Sequence, residues 1–121
     1  MRDYEKMLLV VDIFKALGDP VRMKLIRVLG TQFENSASVG DLVKMFKISQ
    51  PAISQHLKIL KNMNLVTAKK DSYFVYYSVN TEKIKEYKKL MDEVFVLGIT
   101  KCDKFPDCEE CTENANCEIK K

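Results

Sequence analysis

The sequence predicts a mainly α-helical domain that carries one β-hairpin and ends in a cysteine-rich tail. Apolar residues recur at spacings of three and four through most of the first 98 residues, as they do on the buried faces of helices. Two runs rich in β-branched and aromatic residues, LVTAKK and YFVYYSV, flank Asp71-Ser72 and predict the hairpin. All four cysteines lie after residue 101. We therefore expect one folded domain over residues 1–98 and a separate tail over residues 99–121.

Two helices are predicted before the first loop. Apolar residues follow a helical period from Tyr4 to Leu17, on a surface wide enough to be buried both against the domain's own core and against a second subunit. Asp19 is then the N-cap of a second helix, because Pro20 after it suits the first helical position, and this helix is expected to end at Gly30.

Three more helices follow the loop TQFENSAS. Ser38 and Asp41 have the spacing of a capping box and predict a short third helix. After the turn KIS, Ser49 is expected to cap a fourth helix that ends at Asn64, a residue that tolerates the left-handed conformation. A fifth helix follows the hairpin and ends near Gly98. Its apolar positions are Ile84, Tyr87, Leu90, Met91, Val94 and Phe95.

The composition excludes several classes of protein. The chain has 121 residues, of which 46% are hydrophobic and 31% charged, as in a globular protein of one domain. No apolar run approaches the roughly 18 residues of a membrane helix, and the N-terminus lacks the cleavage site of a secretory signal. We therefore expect a cytoplasmic protein with no membrane partner. Thiols stay reduced in the cytoplasm, so clustered cysteines there indicate a metal or redox site more than disulfides.

Charge is divided unevenly along the chain. Residues 1–101 contain 17 Lys and Arg against 11 Asp and Glu, a balance of +6. Residues 102–121 contain 3 against 6, a balance of −3. This asymmetry favours a polyanion as the partner of the body and a cation as the partner of the tail.

The third and fourth helices, joined by a short turn, predict a DNA-reading unit whose second helix enters the major groove. Amide side chains can bond adenine with two hydrogen bonds, hydroxyls bond several bases, and lysines bond phosphate or guanine. The candidate DNA-binding residues of the fourth helix are Ser49, Gln50, Pro51, Ser54, Gln55, His56, Lys58 and Lys61, and those of the hairpin are Lys69, Lys70 and Tyr73. The alternatives are a merely solvated polar face and, for His56, packing against the adjoining helix.

Three stretches of the sequence resemble the ArsR/SmtB winged-helix repressors. They are FKALGDPVRMKLIRVL, SVGDLVKMFKISQPAISQHLKILKNMNLV and KKDSYFVYYSV, which together cover about residues 13–79. The resemblance implies a winged helix-turn-helix that forms a homodimer through its first and last helices, binds double-stranded operator DNA and releases it when an inducer binds. Asn64 and Asp71-Ser72 stand where glycine is usual in these repressors, but all three residues can adopt turn conformations.

The tail has the spacing C-x5-C-x2-C-x5-C, formed by Cys102, Cys108, Cys111 and Cys117. The central pair makes a chelate of the kind that binds zinc or an iron–sulfur cluster, and the outer pair can complete a set of four thiolates. Such sulfur ligands accept zinc, cadmium or a cluster, and three of them accept arsenite. Metal sensors of the resembled family commonly place ligands in the third or last helix. Here the third helix has no cysteine and the last has no histidine.

Four roles for the cysteines remain open. They can form the inducer site, hold a structural zinc ion, act as a thiol–disulfide switch, or form a dithiol enzyme centre at CEEC. The enzyme alternative is the weakest, because no helix in a βαβ context follows CEEC. We expect the inducer site, and hence a regulator and not an enzyme.

Overall fold

The computed structural model describes residues 2–31 and 36–99, with side chains up to residue 96. The helices and strands follow the predicted order and confirm a mainly helical winged helix-turn-helix. They are α1 (Asp3–Leu17), α2 (Pro20–Thr31), β1 (Ala37–Ser38), α3 (Val39–Phe46), α4 (Gln50–Asn62), β2 (Val66–Asp71), β3 (Phe74–Val79) and α5 (Thr81–Ile99). No helix in the two described ranges is both long enough and apolar enough to cross a membrane.

The core is built from one face of each helix and the start of β2. Its largest fully buried side chains, among the described residues, are Ile13, Leu25, Leu42, Ile53, Leu57, Leu60, Leu65 and Val66. Three of them come from α4 at spacings of four and three residues, so this helix turns a single face to the core. Burying one such side chain stabilises the fold by about 1.5–3 kcal/mol relative to leaving it exposed. The opposite face of α4 is therefore held outward by strong packing.

The sheet contains a short strand that the sequence did not predict. Its order is β1-β3-β2 and both pairings are antiparallel. Ala37 pairs with Tyr77 and Ser38 with Tyr76. Two residues are too few to show the alternation of polar and apolar residues by which a strand is recognised. Because Ser38 also caps α3, this pairing fixes the start of α3 to the hairpin.

The tip of the hairpin lies one residue later than predicted. Asp71 pairs with Phe74, so the loop consists of Ser72 and Tyr73 rather than Asp71-Ser72. Ser72 has a φ of 56° and supplies the left-handed conformation that the tight turn requires. Because Asp71 pairs with Phe74 of β3, it belongs to the end of β2, and local turn preferences do not reveal this pairing.

Asp19 caps α2 as predicted. Its carboxylate accepts hydrogen bonds from the backbone N–H groups of Val21 and Arg22, at 2.8 and 3.3 Å. Burial raises the pKa of this carboxyl, but the two hydrogen bonds outweigh burial and hold the pKa below its ordinary value. Asp19 is therefore ionised at neutral pH, which also suits the positive end of the α2 dipole.

Candidate nucleic-acid interface

The turn between α3 and α4 sets the orientation of the predicted reading helix. Asp41 N–H donates to the Ser38 hydroxyl at 3.2 Å and Ser38 N–H donates to the Asp41 carboxylate at 3.0 Å, which confirms the predicted capping box. Lys47 ends α3 with a φ of 57°, and its N–H donates to the Val43 carbonyl at 2.9 Å. Ser49 then caps α4 by accepting a hydrogen bond from Ala52 N–H at 3.3 Å. These local bonds fix the helix-turn-helix.

The face of α4 opposite the core is polar and open to solvent. Its exposed residues are Gln50, Pro51, Ser54, Gln55, Lys58, Lys61 and Asn62, and the Ser49 cap beside them is exposed as well. Gln55 and Ser54 project from the middle of the helix, where a base edge in a major groove can reach them. The chemistry of this face is amide, hydroxyl and ammonium, without a carboxylate to repel phosphate.

The hairpin places a second set of candidates beside α4. Tyr73 is 98% exposed at the tip, and Lys69 and Lys70 are exposed on β2. Successive residues of a strand point to opposite faces, so the two lysines do not share a face. Lys70 shares its face with Val66 and Ala68, whereas Lys69 lies on the opposite face, where it borders a cleft together with Asp71.

A cleft of about 540 Å³ separates the hairpin tip from α3 and the start of α4. It is lined by Ser38, Val39, Gly40, Val43, Lys44, Gln50, Tyr73, Phe74 and Val75. Two residues predicted from the sequence, Gln50 and Tyr73, therefore line the same cleft. Lys44 joins them, and it was not among the predicted residues because nothing local distinguishes it from the other exposed lysines. A lysine at this position suits a backbone phosphate running between helix and wing.

His56 differs from the other candidates on α4. It is half-buried, at the edge between the core face and the exposed face. Its Nδ1 lies 3.4 Å from Nη1 of Arg22 on α2. This contact is the packing against an adjoining helix that the sequence left open as the alternative to DNA contact.

A separate apolar strip runs over α1 and α5. Its large exposed side chains are Met7, Leu8, Val11, Phe14, Phe95 and Val96. The rings of Phe14 and Phe95 lie 5.9 Å apart, and Lys6 pairs with Glu93 at 3.1 Å, so the two helices form one continuous surface. Leu8 is 46% exposed and Phe95 56%, which is unusual for large apolar residues that lie together.

The predicted metal ligands, Cys102, Cys108, Cys111 and Cys117, lie outside the described residues. Within residues 2–31 and 36–96, no three His, Asp or Glu side chains come together in a way that could hold a metal ion. The donor set of the tail is four thiols, which as thiolates suit a soft, tetrahedral ion or a cluster.

Comparison with known proteins places this architecture in a family. Residues 19–68, which contain the helix-turn-helix, match the family described as "Bacterial regulatory protein, arsR family". The chain is 37% identical over 94 residues to the HTH-type transcriptional regulator MJ1325 of Methanocaldococcus jannaschii, covering 78% of this chain and 100% of that protein. It is 33% identical over 87 residues to a cadmium resistance regulatory protein CadC homolog of Staphylococcus aureus, covering 72% and 68%.

A solved structure supports the fold independently. The ArsR-like transcriptional regulator from Rhodococcus sp. RHA1 superposes with a TM-score of 0.65 at 21% identity, covering 76% of this chain and 84% of that one. At this identity the likeness concerns the fold. Together with the sequence matches, it shows that the chain belongs to the arsR family of bacterial regulatory proteins and is a DNA-binding transcriptional regulator, not an enzyme.

Proposed function

We propose that this regulator is a homodimeric repressor that binds operator DNA through α4 and the hairpin, and that a thiophilic metal, metalloid or cluster bound at its tail cysteines releases it. The observation that carries the proposal is the polar, exposed face of α4, held outward by the core contacts of Ile53, Leu57 and Leu60. A rigid helix with this face, flanked by an exposed wing, is what major-groove reading requires.

Within this proposal the exposed residues have different tasks. Ser54 and Gln55 read base edges, because a hydroxyl and an amide can both donate and accept hydrogen bonds. Lys44, Lys58 and Lys70 contact phosphates and supply affinity that depends on salt but not on sequence. Tyr73 at the wing tip reaches the neighbouring groove or backbone.

The apolar strip of α1 and α5 is the proposed dimer interface. In a two-fold symmetric dimer the same surface of each protomer forms the interface, so the strip of one protomer can pack against the same strip of the other. Dimerisation removes Leu8, Phe14 and Phe95 from water and sets the distance between the two copies of α4. Operators read by such dimers have half-sites about one helical turn, roughly 34 Å, apart.

The tail is the proposed sensing site. Its four cysteines are the only ones in the chain, and the described part of the domain offers no competing ligand cluster. The tail follows α5, which carries part of the apolar strip, so ligation can change how the two protomers are held. A cadmium resistance regulator among the relatives supports a soft metal as the inducer.

Cysteine-to-serine variants test this role. We expect Cys108→Ser and Cys111→Ser to keep the DNA affinity of the metal-free protein within about twofold, and to lower metal affinity by at least 10-fold, because this pair closes the shortest chelate loop. The measurements are anaerobic competition for Zn²⁺ or Cd²⁺ and fluorescence anisotropy of a selected DNA duplex. Asn114→Ser, a substitution between the ligands, is the control and should leave both affinities unchanged.

Three other results would contradict the sensing role. A chain ending at Thr100 that still releases DNA on addition of metal would place the sensor elsewhere. Failure of the quadruple serine variant to fold would instead indicate a structural zinc ion. Release of DNA by oxidation and its reversal by reductant, both without metal, would indicate a thiol–disulfide switch.

A further inference from the structure

One arginine side chain connects three helices of the domain. Arg22, in the first turn of α2, donates from Nε to the Ala16 carbonyl at 2.6 Å and from Nη2 to the Lys15 carbonyl at 3.3 Å. These carbonyls belong to the last turn of α1, where the helix provides no partner for them. The remaining nitrogen of the fork, Nη1, lies 3.4 Å from His56 Nδ1 on α4. Arg22 thus links the end of α1 to the proposed reading helix.

The chemistry of the contact fixes the direction of the hydrogen bond. A guanidinium can only donate hydrogen bonds, so His56 Nδ1 is the acceptor in this contact. The Ala16 and Lys15 carbonyls hold the other two nitrogens of the same guanidinium, so Nη1 is directed at His56 from a fixed position. A side chain at position 56 that lacks an acceptor cannot complete this link.

We propose that Arg22 is a positioning residue for DNA recognition, which acts through His56 to hold α4 at its reading orientation relative to α1. The inference rests on the proposed reading role of α4. His56 lies next to Gln55 in the chain and at the edge of the buried face of α4, so a change in how His56 is held rotates the exposed face. Because α1 also carries the apolar strip, the same link couples the proposed dimer interface to the reading helix.

Two substitutions at His56 separate positioning from simple packing. His56→Leu keeps apolar volume but removes the acceptor, and we expect roughly tenfold weaker operator binding, the worth of about one charge-assisted hydrogen bond. His56→Asn restores an acceptor close to the position of Nδ1 and should recover most of the affinity. Arg22→Lys should weaken operator binding to the same extent as His56→Leu. The double variant that combines these two substitutions should lose no more operator affinity than either single variant.

Rescue by His56→Asn provides a readout that a purely structural role would not move. The ratio of operator to random-DNA affinity should fall in His56→Leu, because this variant offers Arg22 no acceptor, and it should return towards the wild-type ratio in His56→Asn, which does offer one. Melting temperatures of all variants are measured alongside.

Several outcomes would overturn the inference. Additive effects in the double variant, or unchanged affinity with a lower melting temperature, would make Arg22 only a cap of α1. An equal loss of affinity for operator and random duplexes in Arg22→Lys would mean that Arg22 contacts phosphate directly. If the wild type selects no preferred duplex from random DNA, the proposed function itself is wrong. If the wild type does select one and the variants bind it equally well, only the role of Arg22 is wrong.

Discussion

Leu8→Glu is expected to convert the dimer into monomers that bind operator DNA at least 100-fold more weakly. The substitution places a charge in the apolar strip, where two copies would face each other without a partner. A monomer engages one half-site, and loss of the second half-site removes the gain of linked binding, which is about 10²–10⁴. Sedimentation velocity and DNA binding of the same samples measure the two effects.

A matched substitution controls for the effect of charge alone. Met23 on α2 is 51% exposed and lies away from the strip, so Met23→Glu introduces the same charge at an equally exposed apolar position. We expect this variant to remain dimeric and to bind DNA within a few-fold of the wild type. The proposed α1–α5 interface would be contradicted if Leu8→Glu remained dimeric, or if Leu8→Glu and Met23→Glu lost dimerisation and DNA affinity to the same extent.

Ser54→Ala and Gln55→Ala are each expected to relax sequence preference by about 1–3 kcal/mol, because each removes the hydrogen bonds of one side chain to a base edge. Both side chains are exposed on α4 and neither packs in the core, so the fold should be unaffected. Lys70→Ala should behave differently. It should weaken binding to all sequences equally and lower the salt slope by about one charge, because a phosphate contact carries no sequence information.

Comparing selected and random duplexes at several salt concentrations distinguishes the two classes of variant. Asn62→Ala changes an exposed polar residue of the same face at the last position of α4, beyond the middle turns that are proposed to read bases, so it is the control and should change neither quantity. Unchanged preference in both Ser54→Ala and Gln55→Ala would mean that α4 does not read bases.

The parts of the fold that depend on local chemistry could be predicted from the sequence. The caps formed by Asp19, Ser38 and Ser49 act within three residues, and all three are present as expected. Asn64 adopts the left-handed conformation with a φ of 58°, although α4 itself ends at Asn62 and Met63 caps it. Helix α4 ends before the predicted residue because Leu65 N–H donates a hydrogen bond to the Leu60 carbonyl, and residue preferences alone do not specify this bond.

The parts that depend on contacts between distant segments could not be predicted in this way. Strand β1 exists because it pairs with β3, about 40 residues later, and not because its two residues favour a strand. Lys44 becomes a site candidate only when the wing folds beside α3. The link from Arg22 to His56 spans 34 residues, and neither residue type indicates it alone.

Hydroxyl-radical footprinting of the wild-type protein on a duplex selected from random DNA tests the central claim, that two copies of α4 read DNA from one dimer. We expect two protected stretches on one face of the duplex, with centres about 10 base pairs apart and one dimer bound. A single protected stretch occupied by one protomer, or uniform protection without a preferred sequence, would contradict it.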